Sequence, residues 1–206
     1  MELSIAQTDS LTELINIGYG RAAAALSELT GYRISLDVPA VTMHPIDELG
    51  PLLLQAIPGK VASVVQGFAG PISGNALMML DEKSALLLSQ LMLDERNAPQ
   101  EFDASAREII TEIGNILLNA CLGVFGNLLQ VQMSFSVPRL QVEFVADTLD
   151  AIRNEKPEKL HYALMIHTRF QLRASNVTGY LFIVLSITSL DRMLFEIGKW
   201  ENRQIT

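Results

Sequence analysis

The chain has one cysteine, one tryptophan and three histidines in 206 residues. A single thiol cannot close an internal disulfide, which excludes the stapled scaffolds of small secreted domains. Cys121 stands among apolar residues in a helical pattern and reads as core filler. His44, His161 and His167 fall at no metal-ligand spacing and belong to no Ser/His/acid or Cys/His set, so neither a metal site nor a hydrolytic triad is expected. Positive charge is also scarce. Lys+Arg 15 against Asp+Glu 23 gives a net charge of −8, which repels phosphate backbones and anionic lipid, and nucleic acid is not an expected partner. The amino-terminal MELSIAQTDS lacks the basic start and apolar stretch of a signal peptide, and no uninterrupted apolar run approaches the roughly 18 residues that cross a bilayer. The expectation is a cytoplasmic protein without membrane insertion. What the chain has in quantity is apolar surface: 49% hydrophobic residues support one sizeable core, read as a single domain over 1–206.

A polar pattern occurs twice at one offset. Asp9, Glu13, Asn16 and Pro39 match Glu108, Glu112, Asn115 and Pro138, with 115 − 16 = 99 and 138 − 39 = 99. Aligning 9–43 with 108–142 without a gap gives 8 identities in 35 positions, including Thr12/Thr111, Ile17/Ile116 and Val38/Val137. Chance alone gives roughly two, and the excess suggests internal repeats over about 1–98 and 99–206. A duplication is expected to keep its apolar framework while exposed polar positions drift. Glu and Asn are nevertheless kept in both copies.

Hydrophobic periodicity supplies the frame for these residues. Leu11, Leu14, Ile15, Ala22, Leu26 and Leu29 recur at helical spacing, with Thr12, Glu13 and Asn16 on the opposite side, and Thr30-Gly31 ends the helix. Arg33–Met43 reads as a strand whose Pro39 marks an edge or a bulge. A short helix over Ile46–Ile57, strands Val61–Ala69 and Ser73–Leu80 joined at Gly70-Pro71, and a largely buried helix over Asp81–Leu93 follow. The second half repeats the order: helix Arg107–Leu129, strand Gln132–Phe144 containing Pro138, helix Asp147–Asn154, strands Leu164–Leu172 and Asn176–Ser186, and helix Leu190–Trp200. The predicted fold is α+β, a layered α/β sandwich. In it two αβαββα halves share one six-stranded, largely antiparallel sheet beneath two long surface helices.

Glu13 and Asn16 lie three apart on a helix, as do Glu112 and Asn115, so each pair projects from one face about one turn apart. Asp9 and Glu108 extend each stripe by a turn. A carboxylate holds a cation and an amide both donates to and accepts from water, but neither is a strong nucleophile or a near-neutral base. The pair suits positioning of a substrate that brings its own electrophile. Solvated residues on an exposed face are the plain alternative. Asp9 and Glu108 also have a second reading, because Ser10/Glu13 and Ser105/Glu108 have the spacing of capping boxes. Gly18, Gly20 and Ala23 spell a G-x-G-x-x-A string with Asp37 downstream, but a helical pattern and not a buried strand precedes it, which argues against nucleotide binding. Those glycines are better read as points of close helix packing.

The doubled acid, Glu, Asn and Pro pattern, with the strings ELINIG and EIGNIL, resembles the CheC/CheX/FliY family of chemotaxis phosphatases, and two copies in one chain look like its CheC branch. The resemblance implies hydrolysis of the aspartyl phosphate of a CheY-type response regulator. Asn16 and Asn115 would each orient the attacking water, and Glu13 and Glu112 would each bind the regulator's active-site lysine. Asp9, Glu108, Pro39 and Pro138 complete the motif. It further implies no cofactor of the chain's own, Mg²⁺ supplied by the receiver, and the CheD deamidase as a second partner. The family usually has Gly before the Asn; Gly114 supplies it in the second copy, but Ile15 stands there in the first, where a branched side chain is expected to crowd a docking regulator. Glu108 is one methylene longer than the usual acid. The alternative that Ile15 keeps open is a non-catalytic adaptor that engages phospho-regulator or CheD by occupancy alone.

Overall fold

The structure, a computed structural model, describes residues 3–57, 59–93, 98–154, 160–172 and 174–204. The side chains of residues 38, 39, 152–154, 160, 161 and 204 fall outside the description, those of Pro39 and His161 among them. The first half runs α1 (Ile5–Thr30), β1 (Ile34–Pro45), α2 (Ile46–Ala56), β2 (Lys60–Ala69), β3 (Gly74–Asp81) and α3 (Glu82–Leu91). The second runs α4 (Ala104–Leu129), β4 (Ser134–Phe135), β5 (Arg139–Phe144), α5 (Val145–Asn154), β6 (Leu160–Leu172), β7 (Ser175–Ser186) and α6 (Ile187–Gln204). All six expected strands are present. Gln132–Phe144 is divided into β4 and β5 around Ser136–Pro138, because proline has no N–H to give to a ladder, so the single sheet contains seven strands.

The strand order is β1-β6-β7-β3-β2-β4, with β5 also on β2, and every pairing is antiparallel. The order is unchanged when the halves are exchanged. Each half's opening strand pairs with the middle strand of the other half, β1 on β6 and β4/β5 on β2, and the two hairpins meet at β3 and β7. Neither half holds a sheet of its own. In β1 the register slips between Asp37 and Ala40, so Val38 and Pro39 together face one residue of β6. That is a bulge on an edge strand, where proline disrupts least.

Central strands are buried on both faces, which explains the near-continuous apolar run of β3. Met78 and Leu80 join Leu14, Ile15, Leu117 and Leu118 in the core beneath α1, α3, α4 and α6. Leu77 and Met79 face Leu49 and Leu53 of α2 and Leu149 of α5 across the other side. The helix α3 buries only one stripe, at Ala85, Leu88 and Ser89; Leu87 is 39% exposed, which corrects the expectation of a largely buried helix. The helix α4 has the length and hydropathy of a membrane-crossing segment, averaging 1.6 over 18 residues, but its apolar positions are the core.

Two glycines set how closely the long helices approach their neighbours. A Cβ on Gly114 would lie 2.6 Å from Cβ of Val64, so the α4 backbone rests directly on β2. A Cβ on Gly18 would lie 3.0 Å from Cα of Cys121, which brings α1 and α4 together there as the sequence suggests. Gly20 meets nothing within 4 Å and packs against nothing, contrary to its reading as a packing glycine. Gly18 and Gly20 lie inside a helix and Asp37 accepts a hydrogen bond from Gln171 at 2.8 Å, which disposes of the dinucleotide fingerprint. Cys121 is 1% exposed and burial pushes its thiol pKa up; burial likewise raises Tyr19, despite a 2.5 Å hydrogen bond to Thr168.

Gly114→Ala is expected to cost about 1–3 kcal/mol, since Val64 is stiff and cannot yield without moving β2, while Gly20→Ala should stabilise by about 1 kcal/mol. Urea unfolding of both variants checks the pair. The native state keeps the Cys121 proton at pH values where the unfolded chain releases it, so its contribution to stability is complete at neutral pH and is lost as pH rises above the ordinary thiol range. Iodoacetamide at pH 8 should therefore leave native Cys121 unmodified and label it rapidly in urea, as read by mass spectrometry.

A candidate functional site on two helix faces

The helices α1 and α4 are built alike from end to end. Each is 26 residues long; their N-caps, Ser4 and Asp103, are 103 − 4 = 99 apart, and their left-handed C-caps, Gly31 and Gln130, are 130 − 31 = 99 apart. Ser4 accepts from the Gln7 amide and Asp103 from the Ala106 amide, which satisfies donors that the first turn leaves free. The capping-box readings of Ser10/Glu13 and Ser105/Glu108 are thus overturned, because the caps stand six residues before Ser10 and two before Ser105. The Ser10 hydroxyl instead donates to the Glu201 carboxylate and ties α1 to α6. Asp9 and Glu108 stand at the same interior position of their helices, past the N-terminal turn, and finish neither end.

With the apolar stripes buried, the polar stripes face outward. Asp9, Glu13 and Asn16 are exposed, as are Glu108 and Glu112, and Asn115 is half-buried. The residue before each Asn points the other way. Ile15 is 1% exposed in the core and Gly114 lies against Val64. The expectation that Ile15 crowds a docking partner is therefore wrong: Gly114 lets α4 lie close to the sheet, and Ile15 of α1 is a core side chain.

The two stripes differ in what supports them. On α4, Asn115 Nδ2 donates to Glu112 Oε2 at 3.4 Å, and Asn119 Nδ2 donates to Asn115 Oδ1 at 2.6 Å. Gln66 Nε2, from the middle of β2, donates both to Asn119 Oδ1 and to the Ser136 carbonyl at 3.0 Å. Ser136 begins the break before Pro138 and is clamped to Gly67, each backbone amide bonding the other residue at 2.9 Å. Pro138 is half-buried in the segment between β4 and β5. On α1, the position matching Asn119 is Gly20, and among the described residues neither Glu13 nor Asn16 has a side-chain hydrogen bond. Asn119 and Gln66 escaped the motif reading. The available signals were the i+4 spacing of Asn119 from Asn115 and one amide in the largely apolar strand VASVVQGFA.

The stripes are convex helix surface. An open groove of about 820 Å³ lies past the end of the α4 stripe, lined by Gly123, Asn127, Gln130, Ser134 and Phe135, and holds none of the four Glu and Asn residues. Among the described residues no His, Cys, Asp and Glu cluster could hold a metal. His44 bonds Thr42 at 2.9 Å and His167 stacks on Tyr180 at 5.2 Å, each far from the stripes in sequence and in fold. Exposed carboxylates and amides on a rigid convex face suit another protein's surface better than a small ligand.

Comparison with known proteins places this arrangement. No family model matches the chain. The chain is 22% identical over 202 residues to the CheY-P phosphatase CheC of Bacillus subtilis, which covers 93% of this chain and 94% of that one. The fold superposes on Thermotoga maritima FliY with a TM-score of 0.74 at 18% identity, over 97% of this chain and 100% of that one. It also superposes on H. pylori FliM, solved in complex with SpeE, with a TM-score of 0.68 at 13% identity over 97% and 98%. Likeness to CheC over most of the chain, the FliY fold and the doubled helix-borne motif agree, and together they support CheC-like membership of the CheC/CheX/FliY chemotaxis family.

Proposed function

We propose that this protein removes phosphate from the aspartyl phosphate of a CheY-type response regulator, using Glu13 with Asn16 and Glu112 with Asn115 as two separate sites. The observation that carries the proposal is that both helices present the acid, Glu and Asn at one helical register, all exposed except the half-buried Asn115, and with no capping role. The curated relative CheC is named for CheY-P phosphatase activity, which supports the same class of reaction here.

The residues fit what that reaction requires. An acyl phosphate is already labile, and its transfer depends mainly on positioning and on stabilising charge at phosphorus. The Asn amide, held on a packed helix, binds a water in line with the phosphorus–oxygen bond. The water oxygen bonds to phosphorus as the bond to the aspartyl carboxylate breaks; the carboxylate leaves with the electron pair, and both of the water's protons go with the phosphate, which releases one to solvent according to pH. Glu13 or Glu112 makes a charge-assisted hydrogen bond to a lysine of the receiver, which fixes the register of docking. The receiver would hold the Mg²⁺, which would supply charge neutralisation at the phosphoryl oxygens; no residue of this chain is asked to bind it. Asp9 and Glu108 extend the acidic stripe that meets the cationic side of the partner. A receiver substrate also places the activity in the cytoplasm.

The adaptor reading loses its support on the first helix, since Ile15 is in the core and leaves Asn16 accessible. Phosphate release from a phosphorylated receiver at fixed Mg²⁺ decides between the two. The chain should accelerate release, and Asn16→Ala with Asn115→Ala together should abolish the acceleration, a loss of about 100-fold or more. Stability should fall by only about 1–2 kcal/mol, because Asn16 is exposed and Asn115 gives up two hydrogen bonds near the helix surface. Binding of the phospho-receiver without faster release would establish the adaptor, with CheD then the partner to examine.

A further inference from the structure

We infer that Gln66 and Asn119 are positioning residues that preset Asn115, so that the second site works faster than the first; the inference rests on the phosphatase reading of that site. The hydrogen-bond chain is anchored at both ends by groups that can only accept. The Ser136 carbonyl requires the Nε2 end of Gln66, and the Glu112 carboxylate requires the Nδ2 end of Asn115. Between them each amide takes one orientation. Gln66 Nε2 meets Asn119 Oδ1, which turns Asn119 Nδ2 towards Asn115 Oδ1, which turns Asn115 Nδ2 towards Glu112. Flipping any one amide sets oxygen against oxygen or N–H against N–H.

The foundation of this chain is rigid. Gln66 is 2% exposed in a central region of the sheet, and both of its N–H groups are used. Its Oε1 is buried without a partner among the described residues, and the flip that would free Nε2 for another role would turn Oε1 onto two acceptors. The Ser136 carbonyl is free for Gln66 because the strand is broken there: pairing with β2 stops at Phe135 and resumes at Arg139, on either side of Pro138. The distant proline of the motif thus acts on the Asn site through the gap it makes in the ladder. Asn115 Oδ1 keeps one lone pair for a water, with its direction fixed before the receiver docks.

The first site has no such support. Gly20 occupies the place of Asn119 and has no side chain to bond Asn16. Asn16 must be ordered during docking, and immobilising one such side chain in advance is worth roughly two- to tenfold in rate.

The test uses the full chain with Asn16→Ala, so that only the second site turns over. Asn119→Asp keeps the shape and still accepts from Gln66, but has no proton for Asn115 Oδ1. It should lower kcat about two- to tenfold with KM for the phospho-receiver and thermal midpoint unchanged. Gln66→Leu should give a similar loss, and the double variant should be no slower than either single one, because both act through one chain. With the unmodified relay, this Asn16→Ala chain should exceed an Asn115→Ala chain by the same two- to tenfold. Independently of activity, the side-chain amide resonances of Asn115 in ¹H–¹⁵N spectra should shift with Asn119→Asp. Unchanged resonances, an unchanged kcat or losses that simply add would overturn the relay. If instead the resonances shift while Asn16→Ala with Asn115→Ala still accelerates phosphate release, the relay stands and the phosphatase assignment of the stripe falls.

Discussion

Burial of the apolar stripes of α1 and α4 on one face of a shared sheet is the constraint from which the rest of this molecule follows. Each helix places a row of Leu and Ile in the core, each side chain worth roughly 1.5–3 kcal/mol, and so cannot rotate without exposing them. The opposite row is held outward by the same free energy. Glu and Asn three residues apart are then presented by a backbone that does not move, which is the condition for positioning a water rather than merely binding one. The interlocked strand order strengthens this. Because β1 pairs with β6 and β5 with β2, the support beneath each helix is made partly by the other half, and neither site can loosen alone.

The element order, the sheet, its antiparallel sense and the outward face of both Glu/Asn pairs were legible in the sequence, because periodicity reports burial and two copies corroborate each other. Helix beginnings were not. Ser10 and Ser105 have capping-box spacing, yet Ser4 and Asp103 cap the helices, since whichever residue sits where the chain leaves its extended conformation does the capping. Ile15 was placed on the apolar stripe, but what that implies for docking beside Asn16 was missed. Position 15 is one residue before an exposed Asn, about 100° round the helix, and that rotation carries it into the core. The break in the fourth strand was marked by Pro138, but its use was not, because a carbonyl freed by a missing ladder bond finds its acceptor role only in three dimensions.

The fold by itself does not settle what the chain does. It is shared with FliY and with FliM, and one architecture hosts different functions when the residues on its surface differ. What separates the readings is the pair of stripes, and above all that they are kept without serving the helix. Residues retained for capping, packing or internal pairing need no further account. Glu13 and Asn16 do none of these, so their persistence at the same register as Glu112 and Asn115 needs a cause outside the chain.

The two copies are not equal, and the inequality lies beneath the surface. A surface view finds Glu and Asn on both helices at matching positions. Below the second, an amide chain runs through Asn119 and Gln66 to a carbonyl exposed by Pro138; below the first, Gly20 leaves an empty place. Duplicated sites that share a motif can thus differ in how far their groups are ordered before a partner arrives, which changes rate without changing which residues touch the substrate. On the proposed reading, the motif specifies the chemistry, and the residues one turn further along the helix and one layer down in the sheet decide how readily each copy performs it.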